Sequence, residues 1–390
     1  MISVEEALAR IFALVEPLPT EPVPLLLAAA GRVLAAPVIA PRDQPPFSAS
    51  AMDGYAVRGP VAPGQQFTVI GESAAGRASG LSVGPGEAVR IFTGAPLPEG
   101  ADRIVIQEDV ERSESTITLR ENLDDGTHIR PAGGDFKAGD RLEPGRRLTP
   151  NALALAAAMG APTVTCTRKP VVALIATGDE LVMPGEAPGP DQIIASNSFA
   201  LAALFEAEGA ECRLLPIARD NRESLTMAFT LARGADLVVT TGGASVGDHD
   251  LVGEVAAELG MDRAFYKVAM RPGKPLMAGR VLGMAMVGLP GNPVSSIVCG
   301  HVFIRPAIRK MLGLGEAPAP RRHLPLAAPI AANGPRAHYM RATVSEGAVT
   351  VFDRQDSSLL SVLDAANALV VRPVSDGARA AGEMIEVIDL

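Results

Sequence analysis

The 390-residue chain has no tryptophan, and aromatic residues make up only 4% of it. So few aromatic side chains exclude the stacking surfaces on which many proteins hold nucleic acid. The net charge of −9 argues in the same direction, because nucleic acid and anionic membranes attract positively charged surfaces. We therefore predict no nucleic acid and no membrane as partner, whereas a small anion stays compatible with a local cluster of basic groups.

Cysteine and histidine are also scarce and scattered. The cysteines, Cys166, Cys212 and Cys299, show no Cys-x-x-Cys spacing, which excludes a disulfide framework and a zinc or iron–sulfur site. No run of apolar residues approaches the roughly 20 that cross a membrane, and the first residues are acidic where a signal peptide is basic. We expect a cytoplasmic protein.

Sequence patterns change along the chain and predict a multidomain α/β plus β protein. A helix is expected over residues 3–16 with Ser3 as its N-cap, followed by short β-rich runs between Gly/Pro turns over residues 44–140. Apolar strands then alternate with helices: strands at 171–176, 213–217 and 236–240, helices at 196–208, 222–233 and 293–312. This alternation predicts a parallel sheet covered on both faces. Residues 321–390 alternate like strands again, as in a small β domain or barrel.

A glycine-rich turn is the most informative local pattern. TTGGASVGDHD (residues 240–250) joins a buried strand to a helix that starts near Leu251. Gly242 and Gly243 allow the backbone to approach a ligand, and a helix N-terminus offers N–H groups to an anion. Asp248 and Asp250 could hold a hard cation against that anion, although Asp250 could equally serve only as the helix N-cap.

Two more loops are expected at the same edge of the sheet, where open α/β proteins bind ligands. One is Thr177-Gly178-Asp179-Glu180, and the other is GLPGNP (residues 288–293), in which Asn292 suits an N-cap and Pro293 a first helical position. Each loop alone could be an ordinary strand-to-helix turn. Together they favour a binding site.

Charged side chains accompany these loops. Lys267, Arg271 and Lys274 lie within eight residues, which fits either phosphate or oxyanion binding or a solvated basic loop. Glu180 and Asp220 are acidic candidates, although Asp220 fits a plain turn equally well. Carboxylates beside an anion require a mediating cation such as Mg²⁺.

Two turns of the β-rich segment, FSASAMDGYAV (47–57) and FTGAPLPEGAD (92–102), combine small residues with a carboxylate, a tyrosine and a threonine. Their residue types alone indicate no reaction and predict only hairpin turns.

Five ordered motifs resemble the molybdopterin molybdenumtransferase family, to which the E domain of gephyrin is related. They are SAMDGYA (50–56), TGAPLP (93–98), ATGDEL (176–181), TGGASVG (241–247) and GLPGNP (288–293). The glycine turn alone would also resemble the molybdopterin adenylyltransferases. The resemblance implies four domains: residues 1–43 with 141–168, helical and extended; 44–140, a β-rich inserted module; 169–315, a three-layer molybdopterin-binding α/β domain with a parallel sheet; and 318–390, a β barrel.

The family's activity is insertion of molybdate into adenylylated molybdopterin, with Mg²⁺ as cofactor and release of AMP. The resemblance implies a homodimer with shared active sites and, as a candidate partner, the adenylyltransferase of the same pathway. By position, the implied catalytic residues are Asp53, Thr93, Asp135, Glu180, Asp220, Asp250, Lys267 and Arg271, with Glu180 and Asp250 as metal ligands. The implied substrate-binding residues are Gly242, Gly243, Ser245, Gly247, Lys274, Pro290, Gly291, Asn292, Pro293 and, more weakly, Ser361.

Two other functions stay open at this point. An adenylyltransferase would consume ATP and would leave the β-rich module without a role. A non-catalytic molybdopterin-binding scaffold would not need its acidic and basic side chains for turnover.

Overall fold

The computed structural model describes residues 1–243 and 251–390. The chain begins with helix α1, where the Ser3 hydroxyl accepts a hydrogen bond from the Glu6 N–H at 3.1 Å, as the N-cap prediction requires. The helix ends earlier than predicted, because Pro17 lacks an N–H and disfavours helical backbone just before it. The first elements are α1 Val4–Phe12, β1 Thr20–Pro24, α2 Leu25–Ala28, β2 Val33–Leu34 and β3 Val38–Ile39.

Residues 44–140 fold as strands with one 3₁₀ turn, Gln107–Asp109, in agreement with the β-rich prediction. Their main sheet has the order β8-β5-β7-β6-β10-β9, and β4 pairs with β11. The alternate residues Tyr55 and Val57 of β5 pack on Phe67 and Ile117 in one apolar cluster. The strands are β4 Ala49–Ser50, β5 Gly54–Val57, β6 Gln66–Ser73, β7 Glu87–Ile91, β8 Arg103–Ile106, β9 Val110–Ser113, β10 Thr116–Leu119 and β11 Ile129–Arg130.

The chain then returns to its N-terminal region. β14 pairs antiparallel with β1 along five residues, β13 and β14 both pair with β2, and β12 pairs with β3. The Thr149 hydroxyl caps α3 and Pro150 opens it. These elements are β12 Arg141–Leu142, β13 Arg146–Arg147, α3 Pro150–Ala158 and β14 Thr163–Thr167.

An α/β segment follows. Its sheet has the order β18-β15-β19-β23-β22-β20. The segment contains β15 Val171–Ala176, β16 Leu181–Val182, β17 Ile193–Ile194, α4 Asn197–Ala207, β18 Glu211–Leu214, α5 Arg222–Leu231, β19 Leu237–Thr241, α6 Leu251–Glu258, β20 Asp262–Tyr266, β21 Met270–Arg271, β22 Met277–Val281 and β23 Met284–Leu289.

The sheet is mixed, which corrects the prediction of a parallel sheet. β18, β15, β19 and β23 pair in parallel, whereas β22 and β20 continue the sheet antiparallel. The reversal occurs at Leu282 and Gly283, whose positive φ angles of 50° and 82° suit a two-residue hairpin turn. Such a turn leaves no room for a crossover helix, so β22 and β23 must run in opposite directions.

Both faces of this sheet are packed. Val172 and Leu174 of β15 contribute to a cluster that includes residues of α1 and α4, and Ala173 and Ile175 to a cluster with α5 and α6. The predicted helix 293–312 is divided into α7 Pro293–Cys299, a π-helical turn Gly300–Ile304 and α8 Arg305–Met311. Pro306 has no N–H to continue the regular pattern, which accounts for the π turn.

The C-terminal region contains β24 Arg322–Pro325, β25 Ala337–Ser345, β26 Ala348–Val351, α9 Leu360–Asp364, β27 Ala368–Arg372 and β28 Met384–Asp389. Its strand order is β21-β25-β27-β28-β24, with β26 paired to β25. β21 therefore joins the basic segment of the α/β region, which carries Lys267, Arg271 and Lys274, to the C-terminal sheet.

A buried carboxylate connects three segments. Glu208, 7% exposed at the end of α4, accepts hydrogen bonds from Arg147 of β13 at 2.7 Å and from Arg305 of α8, with Arg309 at 3.7 Å.

Removing the Glu208 carboxylate would leave these arginines without their counterion. Because the arginines are partly exposed, we expect Glu208→Ala to lower the free energy of unfolding by about 2 kcal/mol. Urea unfolding measures this loss. Glu206→Ala on the exposed side of α4 is the matched control, and equal effects of the two substitutions would contradict the structural role.

Candidate functional site

A cavity of about 730 Å³ opens at the carboxyl edge of the parallel strands. The loops that follow β15, β18, β19 and β23 all contribute to its wall, as expected for an open α/β sheet. It therefore brings together a large part of the predicted site: Glu180, Asp220, Gly242, Gly243, Pro290, Gly291, Asn292 and Pro293.

Backbone hydrogen bonds hold these loops side by side. The Thr177 N–H donates to Thr241 O at 2.9 Å, and the Gly178 N–H donates to Ala218 O at 3.1 Å. Both bonds extend the strand pairing beyond the strand ends. The cavity wall is thus a continuation of the sheet.

Asp220 and Asp179 bind each other's backbone. The Asp220 N–H donates to an Asp179 carboxylate oxygen at 3.2 Å, and the Asp179 N–H donates to Asp220 Oδ2 at 3.4 Å. Arg219 adds bonds to the carbonyls of Asp179 and Leu181, each at 3.2 Å. The sequence left open whether Asp220 is a turn residue or a site residue. In the structure it stabilises a turn and also lies on the cavity wall.

Some of the backbone donors expected to bind an anion are already used within the protein. The Gly242 N–H donates to Leu289 O at 3.3 Å, so its role here is to join two loops. At the start of α7, the Val294 N–H donates to Ser357 O at 3.1 Å, and the Asn292 side chain donates to the Ser357 hydroxyl at 3.0 Å without capping the helix. The C-terminal region thus covers part of this helix terminus.

Several cavity residues were missed as site residues by sequence reasoning. An apolar rim is formed by Leu181, Ile193 and Ile194, and Glu254 lines the wall from α6. The Asn197 side chain donates to Gly291 O at 2.7 Å, which links α4 to the last loop. The sequence did not single out Asn197 as a site residue, whereas Glu254, in the helix after the glycine turn, could have been suspected.

The basic segment borders the cavity. Lys267, Arg271 and Lys274 are not among the described lining residues, but Pro275, directly after Lys274, is. The Lys267 ammonium lies 5.0 Å from the centre of the Tyr266 ring. Arg271 is exposed and pairs through its backbone with His338 of β25. The burial of His338 together with the charge of Arg271 lowers the pKa of its imidazole to about 4.

A second cluster forms in the β-rich region, where Asp53 and Thr93 meet across 40 residues. One Asp53 carboxylate oxygen accepts hydrogen bonds from the Thr93 N–H and hydroxyl, both at 2.8 Å. These two bonds, with a smaller contribution from the charge of Arg90, lower the pKa of Asp53 below its usual value. Neither residue is among the described residues that line the cavity.

The remaining predicted residues lie apart. Asp135 is exposed, and its N–H donates to Gln44 O at 3.0 Å. Ser361 is exposed on α9. Ser245, Gly247 and Asp250, like Asp248, lie outside the described residues.

Gly242 offers a test of how tightly the loops are packed. A Cβ there would lie 2.5 Å from Thr177 O, and its φ is 91°. Gly234 has a φ of 83°, but a Cβ there would meet nothing within 4 Å in the described part of the chain. We expect Gly234→Ala to cost about 1 kcal/mol for the positive φ, and Gly242→Ala about 2 kcal/mol more for the clash. Thermal unfolding compares them, and equal losses would show that the close approach costs nothing.

The chain matches three family models in succession. They are the MoeA N-terminal region (domain I and II) over residues 2–160, the probable molybdopterin binding domain over 173–310 and the MoeA C-terminal region (domain IV) over 323–390. "Molybdopterin molybdenumtransferase 2" of Mycobacterium tuberculosis is 38% identical over 94% of both chains. The Haemophilus influenzae molybdopterin molybdenumtransferase is 40% identical over 76% of this chain and 74% of its own.

Solved structures agree with these relatives. The crystal structure of a molybdopterin biosynthesis MoeA protein from Pyrococcus horikosii is 31% identical and covers 100% of this chain and 99% of its own, with a TM-score of 0.84. Within the described residues, no helix is long and apolar enough to cross a membrane. The resemblance found in the sequence motifs is confirmed, and the chain belongs to the molybdopterin molybdenumtransferase family.

Proposed function

We infer that this chain is a transferase that inserts molybdenum into molybdopterin, and that it uses adenylylated molybdopterin and molybdate and releases AMP. The observation that carries this inference is the cavity of about 730 Å³, which unites residues from three of the five motifs, 176–181, 241–247 and 288–293, at the carboxyl edge of the sheet. Its volume lies within the range of small-molecule sites. The names of the relatives support molybdenum insertion over adenylylation or a scaffold role.

In this proposal the substrate's charged oxygens lie between the glycine turn and the basic segment. Gly243 and the predicted residues Ser245 and Gly247 would approach the phosphates, with Pro290, Gly291, Asn292 and Pro293 forming the opposite wall. Lys267, Arg271 and Lys274 would neutralise molybdate and the charge that develops as the pyrophosphate bond breaks. Ser361 is proposed as a weaker contact from the C-terminal region.

The described donor set suits Mg²⁺. Glu180 and Asp220 present carboxylate oxygens on the cavity wall, and Mg²⁺ is usually held by one or two carboxylates together with substrate phosphates. Within the described ranges, which do not include Asp248 and Asp250, there is no cluster of three or more potential metal-binding side chains. We propose as ligands the two residues that the resemblance implies, Glu180 on the described wall and Asp250, which lies outside the described residues. The cation would supply neutralisation of pyrophosphate charge.

We propose that Asp53, Thr93 and Asp135 act in the cleft of a partner subunit, in a homodimer. The separation of the Asp53–Thr93 pair from the cavity lining supports this arrangement. Asp53 would remain ionised at neutral pH, because its Thr93 hydrogen bonds keep its pKa low. The adenylyltransferase of the pathway is proposed as a partner that delivers the substrate, and a cytoplasmic location stays a prediction.

We also propose the finer architecture that the sequence predicted. Packing of helices on both sheet faces supports three layers in domain 169–315. The bridge between Leu326 and Val349 leads from β24 back to β26, which supports a closed barrel in domain 318–390. Pairing of β1 and β2 with β14 supports a domain made of residues 1–43 and 141–168, with 44–140 inserted.

The proposed reaction predicts molybdate-dependent release of AMP from adenylylated molybdopterin in the presence of Mg²⁺. Because their carboxylates would be lost, we expect Glu180→Gln and Asp53→Asn to lower kcat by about 100-fold. Chromatographic quantification of AMP measures the rate, and Glu186→Gln in the exposed loop after β16 is the control. ATP consumption with free molybdopterin, without molybdate dependence, would instead indicate an adenylyltransferase.

The shared cleft predicts complementation between two inactive variants. A purified heterodimer of one Asp53→Asn and one Glu180→Gln chain retains one intact site, so about half of the wild-type activity per dimer is expected. Different affinity tags on the two chains allow its isolation after co-expression. An inactive heterodimer would place Asp53 and Glu180 in the same chain's site, and a monomer in analytical ultracentrifugation would exclude the shared cleft.

A further inference from the structure

Arg90, which neither the motifs nor the family resemblance singled out, is connected to both halves of the Asp53–Thr93 pair. It lies in β7 directly opposite Tyr55 of β5, two residues from Asp53. Phe92, beside Thr93, follows it by two residues. The guanidinium carbon lies 4.9 Å from the ring centres of both Tyr55 and Phe92.

Hydrogen bonds complete this arrangement. Arg90 Nη1 donates to Gly54 O at 3.2 Å, and Nη2 donates to the Gln107 side-chain oxygen at 2.6 Å. The Gln107 N–H in turn donates to Asp53 O at 3.0 Å. Arg90 therefore holds two successive carbonyl groups, that of Gly54 directly and that of Asp53 through Gln107.

The chemistry of this contact requires arginine. A planar guanidinium can face aromatic rings and direct two N–H groups to separate acceptors, whereas the lysine ammonium is a point charge on a flexible stem. The backbone around this contact has little room to move, since a Cβ on Gly54 would lie 2.1 Å from Val105 O. The backbone at Gly54 cannot move towards β8 to compensate for a lost contact.

We propose that Arg90 is a positioning residue for the transfer reaction, which fixes the Asp53 carboxylate against Thr93. The inference rests on the proposed role of Asp53. In this proposal Arg90 does not contact the substrate and acts only by positioning the Asp53–Thr93 pair.

The test compares the molybdate-dependent AMP release of Arg90→Met, Arg90→Lys and the control Arg112→Met. Arg112 belongs to β9 at the far edge of the same sheet, where its guanidinium donates to Glu114 O. We expect Arg90→Met to lower kcat about ten-fold with KM changed by less than about two-fold, since displaced catalytic groups slow the chemical step. The acidic limb of its pH profile should move to higher pH, because a cation that lowers the pKa of Asp53 is gone.

Arg90→Lys keeps the charge but not the geometry. Its acidic limb should stay near that of the wild type while kcat still falls. A kcat of Arg90→Met equal to that of Arg112→Met would overturn the proposal.

A double-mutant cycle separates positioning from a general structural effect. If Arg90 acts through Asp53, adding Arg90→Met to Asp53→Asn should lower kcat by less than about two-fold further. If the two substitutions instead lower kcat by independent factors that multiply in the double variant, the proposal is overturned. If Asp53→Asn alone leaves the rate unchanged, the proposed role of Asp53 fails and the inference fails with it; a slow Asp53→Asn with an unaffected Arg90→Met refutes the inference alone.

Gln107→Met carries the test if Arg90→Met does not fold. Gln107 is exposed, and its loss removes one Arg90 acceptor while the stacking on both rings remains. We expect a kcat about three-fold lower, and an unchanged kcat would refute the proposal.

Discussion

The close approach of the loops after β15 and β19 is the constraint on which the cavity depends. A side chain on Gly242 would collide with the Thr177 carbonyl, and the Gly242 N–H binds Leu289 O. The three loops are therefore joined through backbone atoms, and their ligand-facing groups are placed by the sheet itself. A site built in this way is pre-organised, which lowers the ordering cost that a bound anion would otherwise impose.

Much of the N-terminal helix and of the α/β region was predictable because their patterns are local. The Ser3 cap, the strands at 171–176 and 236–240 and the helices between them follow from apolar spacing and capping residues. The mixed sheet was not predictable from this pattern, since its antiparallel edge depends on a hairpin turn at Leu282 and Gly283. The π turn in the last helix likewise depends on one proline within a helical pattern.

The candidate site was predictable to the extent that glycines and prolines mark it. The sequence identified the cavity loops, but not that the Gly242 and Val294 N–H groups are already bonded within the protein. Such bonds link residues more than 45 positions apart, and no local pattern encodes them. The same holds for Asp53 and Thr93, whose turns look like ordinary hairpins until the sheet brings them together.

In an acidic protein with an anionic substrate, many cationic side chains pair with the protein's own carboxylates. Several arginines serve structural carboxylates, as Arg147 and Arg305 do at Glu208 and Arg168 does at Asp236. Arg90 differs from these, because its hydrogen-bond acceptors are a carbonyl and an amide, while its charge contributes to the lowered pKa of Asp53. A guanidinium held by neutral groups stabilises a nearby carboxylate without forming an ion pair that would occupy it. In the proposed homodimer, the second Asp53 oxygen would be available to the cleft of the partner subunit.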